Sequence, residues 1–326
     1  MDTKKQLGKA AIIFLFLIIA VYYLPAWKHR AEKSEESSIK VSSARTGFRF
    51  EYDEFCDTRF NSGGWVGIPN VSCDSTTRSV ATCGQSHTDN WQWSSEALRC
   101  GAERQGPTEF QRALANRWIV VAGDSIARFF FASLLRLASH DSSQQIVYGH
   151  QDFEYTLPNN IRATFKWAPY ITNLTVLLSN WTREGVSPDA VVMSAGLWHM
   201  LHIDDPADYA KQLQLLGHAI KDFVGGLKVA AAPPMSFFSI SEVFPPKLKT
   251  EEKRKHLTYQ NVDFYNEAIQ ESGLLVPDGA LYLVDLHHLT QGCGPTCSHD
   301  GLHYSNATYD AALQIWAVNT LSVINS

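Results

Sequence analysis

"RWIVVAGDSIARFF", residues 117–130, runs from β-branched residues through Gly123, Asp124 and Ser125 into a stretch of helical character. Ile119, Val120 and Val121 read as a short buried strand, and "SIARFFFASLLRLA" (125–138) reads as the helix that follows. A serine at such a corner can serve simply as a helix cap. A second reading gives it chemistry. Gly123 permits a tight turn, and the strand lifts Ser125 to the carboxyl edge of a sheet. The helix N-terminus then turns its amides and positive dipole end toward whatever the hydroxyl attacks.

Outward from this corner the rhythm repeats. Short apolar runs recur at 118–122, 190–195, 227–232 and 281–285, each too short for a helix and rich in valine or other apolar residues. Helical stretches lie between them at 125–139, about 206–224 and about 250–272. Strand alternating with helix predicts an α/β fold, a parallel sheet between helical layers, with functional groups beyond the carboxyl ends of the strands. After the last apolar run comes "CSHDGLHYSNATYD" (297–310), with Asp300 three residues before His303. On a helix-like turn that spacing puts both side chains on one face. The carboxylate can then hold Nδ1–H, leaving Nε2 free to take a proton from a serine hydroxyl. Ser125, His303 and Asp300 together make a candidate acyl-transfer triad, with the Ser125 amide available to an oxyanion.

Bulk properties bound the partners. A formal charge of −5 offers no basic field for nucleic acid. Nine tryptophans suit either a sugar-binding surface or an aromatic core. Residues 10–27, "AAIIFLFLIIAVYYLPAW", carry no formal charge and would span roughly 27 Å as a helix, the reach of a thin bilayer. No small-x-small cleavage site follows, so an uncleaved anchor is favoured over a removed signal peptide. This predicts a cytosolic tail (1–9), one span (10–27), a serine-rich charged stem (28–47), a cysteine-rich subdomain (48–115) and the catalytic domain (116–326). Sequons at Asn70, Asn173, Asn180 and Asn306 point to an oxidising lumen. So do six cysteines, Cys56, Cys73, Cys83, Cys100, Cys293 and Cys297, read as disulfides. The rival reading, zinc between Cys293 and Cys297 with His287, His288 and His299, lacks paired short spacing elsewhere, and no metal is expected. The charge run at 247–256 reads as a solvated helix start.

The GDS block after the first strand and DxxH after the last resemble the GDS-type SGNH hydrolase superfamily. The resemblance narrows further. "FCDTRFNSGGWV" (55–66), "NWQWSSEALRC" (90–100), "GDSIAR" (123–128) and "FEYTLPNNIRATFKWAPY" (153–170) are similar to blocks of the plant trichome-birefringence-like proteins. The tail ending in "IWAVN" (315–319) is closer to PC-esterase and Cas1p-like lumenal domains. The resemblance covers roughly residues 50–326. It implies a three-layer αβα, SGNH-like (flavodoxin-like) fold and Golgi O-acetylation of polysaccharides such as xylan, xyloglucan, mannan or pectin.

Carried onto this chain, the resemblance makes Ser125 the nucleophile, His303 the general base and acid, and Asp300 the carboxylate that orients it. The superfamily's Gly-x-Asn-Asp block is absent: its place reads "SAGLWHM" (194–200), without the asparagine. Gly149, Gly196 and Arg128 are candidates for oxyanion or substrate contacts. Trp198 and His199 read equally as packing or substrate residues, and Trp65, Trp91 and Trp93 as core. The expected activity is an O-acetyltransferase working through acetyl-Ser125, anchored as a single-pass type II protein of the Golgi membrane. No cofactor is expected to stay bound, but an acetyl donor is required, with a polysaccharide acceptor and association with other acetylation proteins. A lumenal acetylesterase and a non-catalytic glycan-binding scaffold are the alternatives. The donor, the polymer and the disulfide pairing stay open.

Overall fold

Ile119, Val120, Val121 and Ala122 are fully buried, which places the strand they form in the middle of a sheet covered on both faces. The computed structural model describes residues 59–66, 90–139, 149–227, 232–275 and 281–324. The cytosolic tail, span and stem expected at 1–47 lie outside them, as do Cys56, Cys73, Cys83 and Asn70. Among the described residues no helix is long and apolar enough to cross a membrane.

In chain order the elements are β1 (Gly63–Val66), β2 (Asn90–Trp93), α1 (Ser95–Arg99), α2 (Pro107–Ala113), β3 (Trp118–Gly123), α3 (Ser125–Ser139), β4 (Phe153–Leu157), β5 (Ile161–Trp167), α4 (Ile171–Glu184), β6 (Ala190–Ser194), α5 (Leu197–His202), α6 (Pro206–Gly226), β7 (Met235–Phe238), α7 (Glu251–His256), α8 (Tyr259–Glu271), β8 (Leu281–Val284), α9 (Leu286–Cys293) and α10 (Asn306–Ile324). The main sheet has the order β4-β5-β3-β6-β7-β8. All its pairs are parallel except the β4–β5 hairpin. Its five parallel strands run second, first, third, fourth, fifth in chain order, the flavodoxin-like doubly wound arrangement. Because crossovers are right-handed, reversing direction after β5 moves the connecting helices to the opposite face. Accordingly α4, α6 and α8 pack in one row, while α3 and α10 pack together on the other face. The result is three layers, helix–sheet–helix.

The strand expected at 227–232 lies, except for its two end residues, outside the described residues; β7 is Met235–Phe238, following Pro233 and Pro234. One detail differs from the sequence reading. The helix expected at 250–272 is broken into α7 and α8, each with its own threonine cap. Thr250 accepts from the Lys253 amide and Thr258 from the Asn261 amide.

The described parts of the cysteine-rich stretch pack on the end of the chain. Helix α10 contacts β2 and the turn at Arg59–Asn61, as well as α3, α9 and β8. Covered from several sides, it has no polar stripe: Ala312, Leu313, Ile315, Trp316 and Ala317 are all buried. Its one buried amide, Gln314, is paired with both backbone groups of Gln105. Trp91 is core, as expected, and Trp65 spends its indole N–H on the Leu289 carbonyl.

The corner at Gly123 depends on the absence of a side chain. A Cβ there would lie 2.2 Å from the Ser194 carbonyl oxygen and 2.7 Å from the Ala127 Cβ. Asp124 follows, buried to 1% exposure, and its Oδ1 accepts from the Ile126 amide at 2.9 Å. Burial raises its pKa to about 6, against the pull of that amide and the nearby charges. A folded-state pKa above the unfolded one contributes stability below the unfolded value and loses it as pH rises through about 6. Asp124→Asn keeps an oxygen for the cap and removes that loss. Thermal unfolding should therefore show the variant gaining on wild type at pH 8 by up to ~3 kcal/mol, with little difference at pH 4. An equal change at both pH values would contradict the burial argument.

Candidate active site

Helix α3 starts at the end of β3, so Ser125 stands at its first turn with its side chain partly exposed. His303 arrives from the other end of the chain, in the loop between α9 and α10. Its Nε2 lies 2.8 Å from Ser125 Oγ, and its Nδ1 lies 2.8 Å from Asp300 Oδ2. A carboxylate beside Nδ1 keeps the proton on that nitrogen, so Nε2 accepts from the serine hydroxyl. The three groups form one continuous relay.

The segment between Asp300 and His303 is a bent loop and not the helical turn that the spacing suggested. Asp300 Oδ1 accepts from the Leu302 and His303 amides at 3.0 and 2.8 Å, so the carboxylate closes its own turn with one oxygen and holds the imidazole with the other. Burial by itself would raise the Asp300 pKa. The hydrogen bonds from the His303 ring and amide and from the Leu302 amide outweigh it, holding the acid well below the usual carboxylate range. Asp300 is therefore ionised throughout the physiological range.

The loop is tied down at several points. Gly301, at φ +85°, accepts from the Phe244 amide at 2.8 Å, and a Cβ there would meet the Phe244 carbonyl oxygen at 2.6 Å. Ser298 Oγ donates to the His303 carbonyl and accepts from the Gly301 amide. Tyr304 donates its hydroxyl proton to the Glu242 carbonyl, and Lys247 Nζ caps the Pro295 and Ser298 carbonyls. Cys293 and Cys297 are joined in a disulfide at the loop's start, leaving neither free to hold a metal. Cys100 is disulfide-bonded as well. Phe129, one turn along α3 from the serine, packs on the imidazole with ring centroids 5.1 Å apart and stacks on Tyr309.

The other expected site residues divide. Gly196 shares a small cavity of about 10 Å³ with Asp124, Ile126 and Ser239–Ser241, directly behind the nucleophile's turn. Arg128 is buried, and its Nη1 donates to the Gly149 carbonyl at 2.5 Å. Two of the three residues expected at the oxyanion or substrate thus engage each other, fastening the chain ahead of β4 to α3. His199 is fully buried between Tyr265 and Asp208, a packing residue with both ring nitrogens engaged. Trp198 instead belongs to a partly exposed group of rings with Trp167, His150, Tyr170 and His202, which no sequence spacing assembles. The available signal is Trp167, the last residue of an alternating run, "IRATFKW". Of the sequons, Asn173 and Asn306 are exposed, while Asn180 is half-buried and accepts from Arg183.

No protein-family model matches the chain. Among sequence relatives, Protein ALTERED XYLOGLUCAN 9 of Arabidopsis thaliana is 27% identical over 336 residues, covering 97% of this chain and 89% of its own length. Xyloglucan O-acetyltransferase 1 of Populus trichocarpa is 26% identical over 231 residues, covering 62% of this chain and 52% of that protein. Protein trichome birefringence-like 25 of Arabidopsis thaliana is 24% identical over 167 residues, covering 42% and 36%. Among solved structures, the α/β hydrolase LAE5 from a Lake Arreo metagenome superposes with a TM-score of 0.41 at 16% identity, covering 65% of this chain and 98% of that one. A catalytic mutant of the acetylxylan esterase Axe2 of Geobacillus stearothermophilus superposes with a TM-score of 0.40 at 11% identity, covering 67% and 96%. In sequence the chain is thus similar to proteins named for altered xyloglucan, xyloglucan O-acetylation and trichome birefringence.

Proposed function

We propose that this protein is a polysaccharide O-acetyltransferase that carries the acetyl group on Ser125. The observation behind the proposal is the unbroken relay from Asp300 through His303 to Ser125, with 2.8 Å at each junction. In the first step Ser125 Oγ attacks the carbonyl carbon of an acetyl donor while His303 Nε2 takes the hydroxyl proton. The carbonyl oxygen becomes an oxyanion at the N-terminus of α3, where the backbone amides and the helix dipole oppose its charge. Collapse expels the donor's leaving group, which receives the proton from Nε2, and acetyl-Ser125 remains. In the second step Nε2 takes a proton from a sugar hydroxyl, whose oxygen attacks the acetyl carbon. Ser125 leaves and recovers its proton.

Asp300 contributes by staying ionised beside the imidazolium formed in both steps. An acetyl donor is needed that the chain does not itself hold, and its chemical class is an activated acetyl ester or thioester. Xyloglucan-type hemicellulose is the proposed acceptor, on the strength of the relatives' names. The proposed setting is the Golgi lumen, with residues 10–27 as the membrane anchor and other acetylation proteins nearby. Disulfides at Cys293–Cys297 and Cys100 accord with an oxidising compartment.

The full chain incubated with p-nitrophenyl acetate should gain the mass of one acetyl group on the peptide containing Ser125. With unacetylated xyloglucan oligosaccharides the label should move to sugar. Release as acetate alone would make the protein an esterase, and absence of any adduct would remove the covalent mechanism. Ser125→Ala should abolish the adduct while leaving the melting temperature within a few degrees of wild type.

Asp300→Asn tests the relay separately. An amide can present its NH₂ to Nδ1 and favour the wrong tautomer, so turnover should fall by roughly 10⁴-fold. If steady-state kinetics give less than about a tenfold fall, Asp300 serves only to shape its loop.

A further inference from the structure

We infer that Trp167, Trp198, Tyr170, His150 and His202 form the subsite that holds the acceptor sugar beside acetyl-Ser125. The inference rests on the acyl-transfer reading above and adds to it the place and chemistry of acceptor recognition. It starts from the sheet. Trp167 ends β5 directly opposite Gly123, and the Ala168 amide donates to the Gly123 carbonyl at 2.9 Å. On the other side of β3, Gly123 pairs with Ser194, and Trp198 follows four residues later on α5.

Residues on the two neighbours of a central strand stand roughly 10 Å apart. Yet the Trp167 and Trp198 rings meet with centroids 5.4 Å apart, edge to face at 84°. The rings therefore reach across the carboxyl end of β3, the strand that delivers Ser125 two residues later. This is also where the connections reverse direction, the position at which open α/β sheets bind their ligands.

The rim of the group is polar. His150 lies flat on Trp167, with centroids 4.3 Å apart, and is itself exposed. Its position is fixed through Gly149, which Arg128 holds to the catalytic helix. Tyr170 Oη is 3.1 Å from His202 Nδ1, which leaves His202 Nε2 at the exposed edge. The neighbouring charges cancel: Lys166 is paired with Asp152 at 2.8 Å, and Asp152 also accepts from the Trp167 amide. Aromatic rings with hydrogen-bonding edges suit a ligand that has apolar C–H faces and a hydroxyl rim. A neutral glycan has that chemistry, and an acidic one meets no lysine or arginine among these five side chains. A sugar held here would place a hydroxyl at the acetyl-enzyme in competition with water, so the subsite governs transfer against hydrolysis.

The test uses the full chain with two readouts. First, protein pre-acetylated on Ser125 is chased with xyloglucan oligosaccharide, and acetylated sugar is measured against free acetate. This ratio does not depend on how fast the adduct formed. Trp198→Ala should shift it at least tenfold toward acetate, and Trp198→Phe should retain most of the transfer. His202→Ala, at an exposed ring, reads the same ratio if the tryptophan variants fail to fold. An unchanged ratio in folded Trp198→Ala and His202→Ala overturns the inference. Second, binding of the neutral oligosaccharide to Ser125→Ala protein is followed by tryptophan fluorescence, with an oligogalacturonide of equal length as the acidic comparison. Binding that prefers the neutral sugar and weakens at least tenfold on adding Trp198→Ala supports the subsite, and binding indifferent to Trp198 overturns it. Failure of wild type to form acetyl-Ser125, with Trp198-dependent binding intact, would instead sink the acyl-transfer mechanism and leave the glycan subsite standing.

Discussion

The packing of α3 against α10 sets the distance on which the rest depends. Ser125 and His303 are 178 residues apart in sequence, yet their reacting atoms lie within one hydrogen bond. The nucleophile opens the helix after the sheet's central strand, and the base sits just ahead of the last helix. Once those two helices lie side by side on one face, their N-terminal ends bring the two groups together. Phe129 stacked on Tyr309 fixes the near end of the pair, and Arg136 bonded to Asp310 at 2.9 Å ties α3 to α10 again. The covering of α10 by β2 and the Arg59–Asn61 turn buries the helix that follows His303.

Helix packing alone would leave the imidazole on a loop free to wander. The 298–304 loop is held by backbone-level bonds, to Phe244 and through Ser298, and by the Asp300 carboxylate closing its own turn. A short carboxylate suits this position because one oxygen can satisfy two amides while the other orients the base. The same amide bonds that shape the loop lower the Asp300 pKa, so structure and electrostatics share one cause. Asp124 is the opposite case. It is a carboxylate at the nucleophile's turn, buried enough that its pKa rises, and it is retained where it caps α3. Two aspartates within one site are thus driven in opposite directions by their surroundings.

Much of this is legible in the sequence because the relevant signals are local. The strand-to-helix break at Gly123–Ser125 is written in six consecutive residues, and Asp300 and His303 are near neighbours in the chain. What escapes is decided by tertiary contact. The β4–β5 hairpin alternates visibly in "FEYTL" and "IRATFKW", but its turn relies on Asn159 and Asn160 in left-handed backbone, a weaker cue than glycine. The strand at 235–238 is only four residues long, and its sequence, "MSFF", has one polar residue and no valine to mark a period. Arg128 and Gly149, taken singly, each read as facing substrate; their bond to one another spans 21 residues and no spacing rule predicts it. His199 reads as either a packing or a substrate histidine until Tyr265 and Asp208 take both of its nitrogens.

The architecture also separates the two tasks that the proposed acyl transfer to a glycan would combine. On the proposed reading, proton transfer and acyl carriage come from α3 and the loop before α10. The ring of Trp167 comes from the end of β5 and that of Trp198 from just beyond β6, and they meet the catalytic turn only through the sheet register. On that reading, changes in the rings alter what approaches Ser125 without rearranging the relay, and changes in the loop disable the relay without moving the rings. On the proposed reading, groups around Ser125 that hold a sugar hydroxyl at the carbonyl carbon and exclude water tip the outcome from hydrolysis toward transfer.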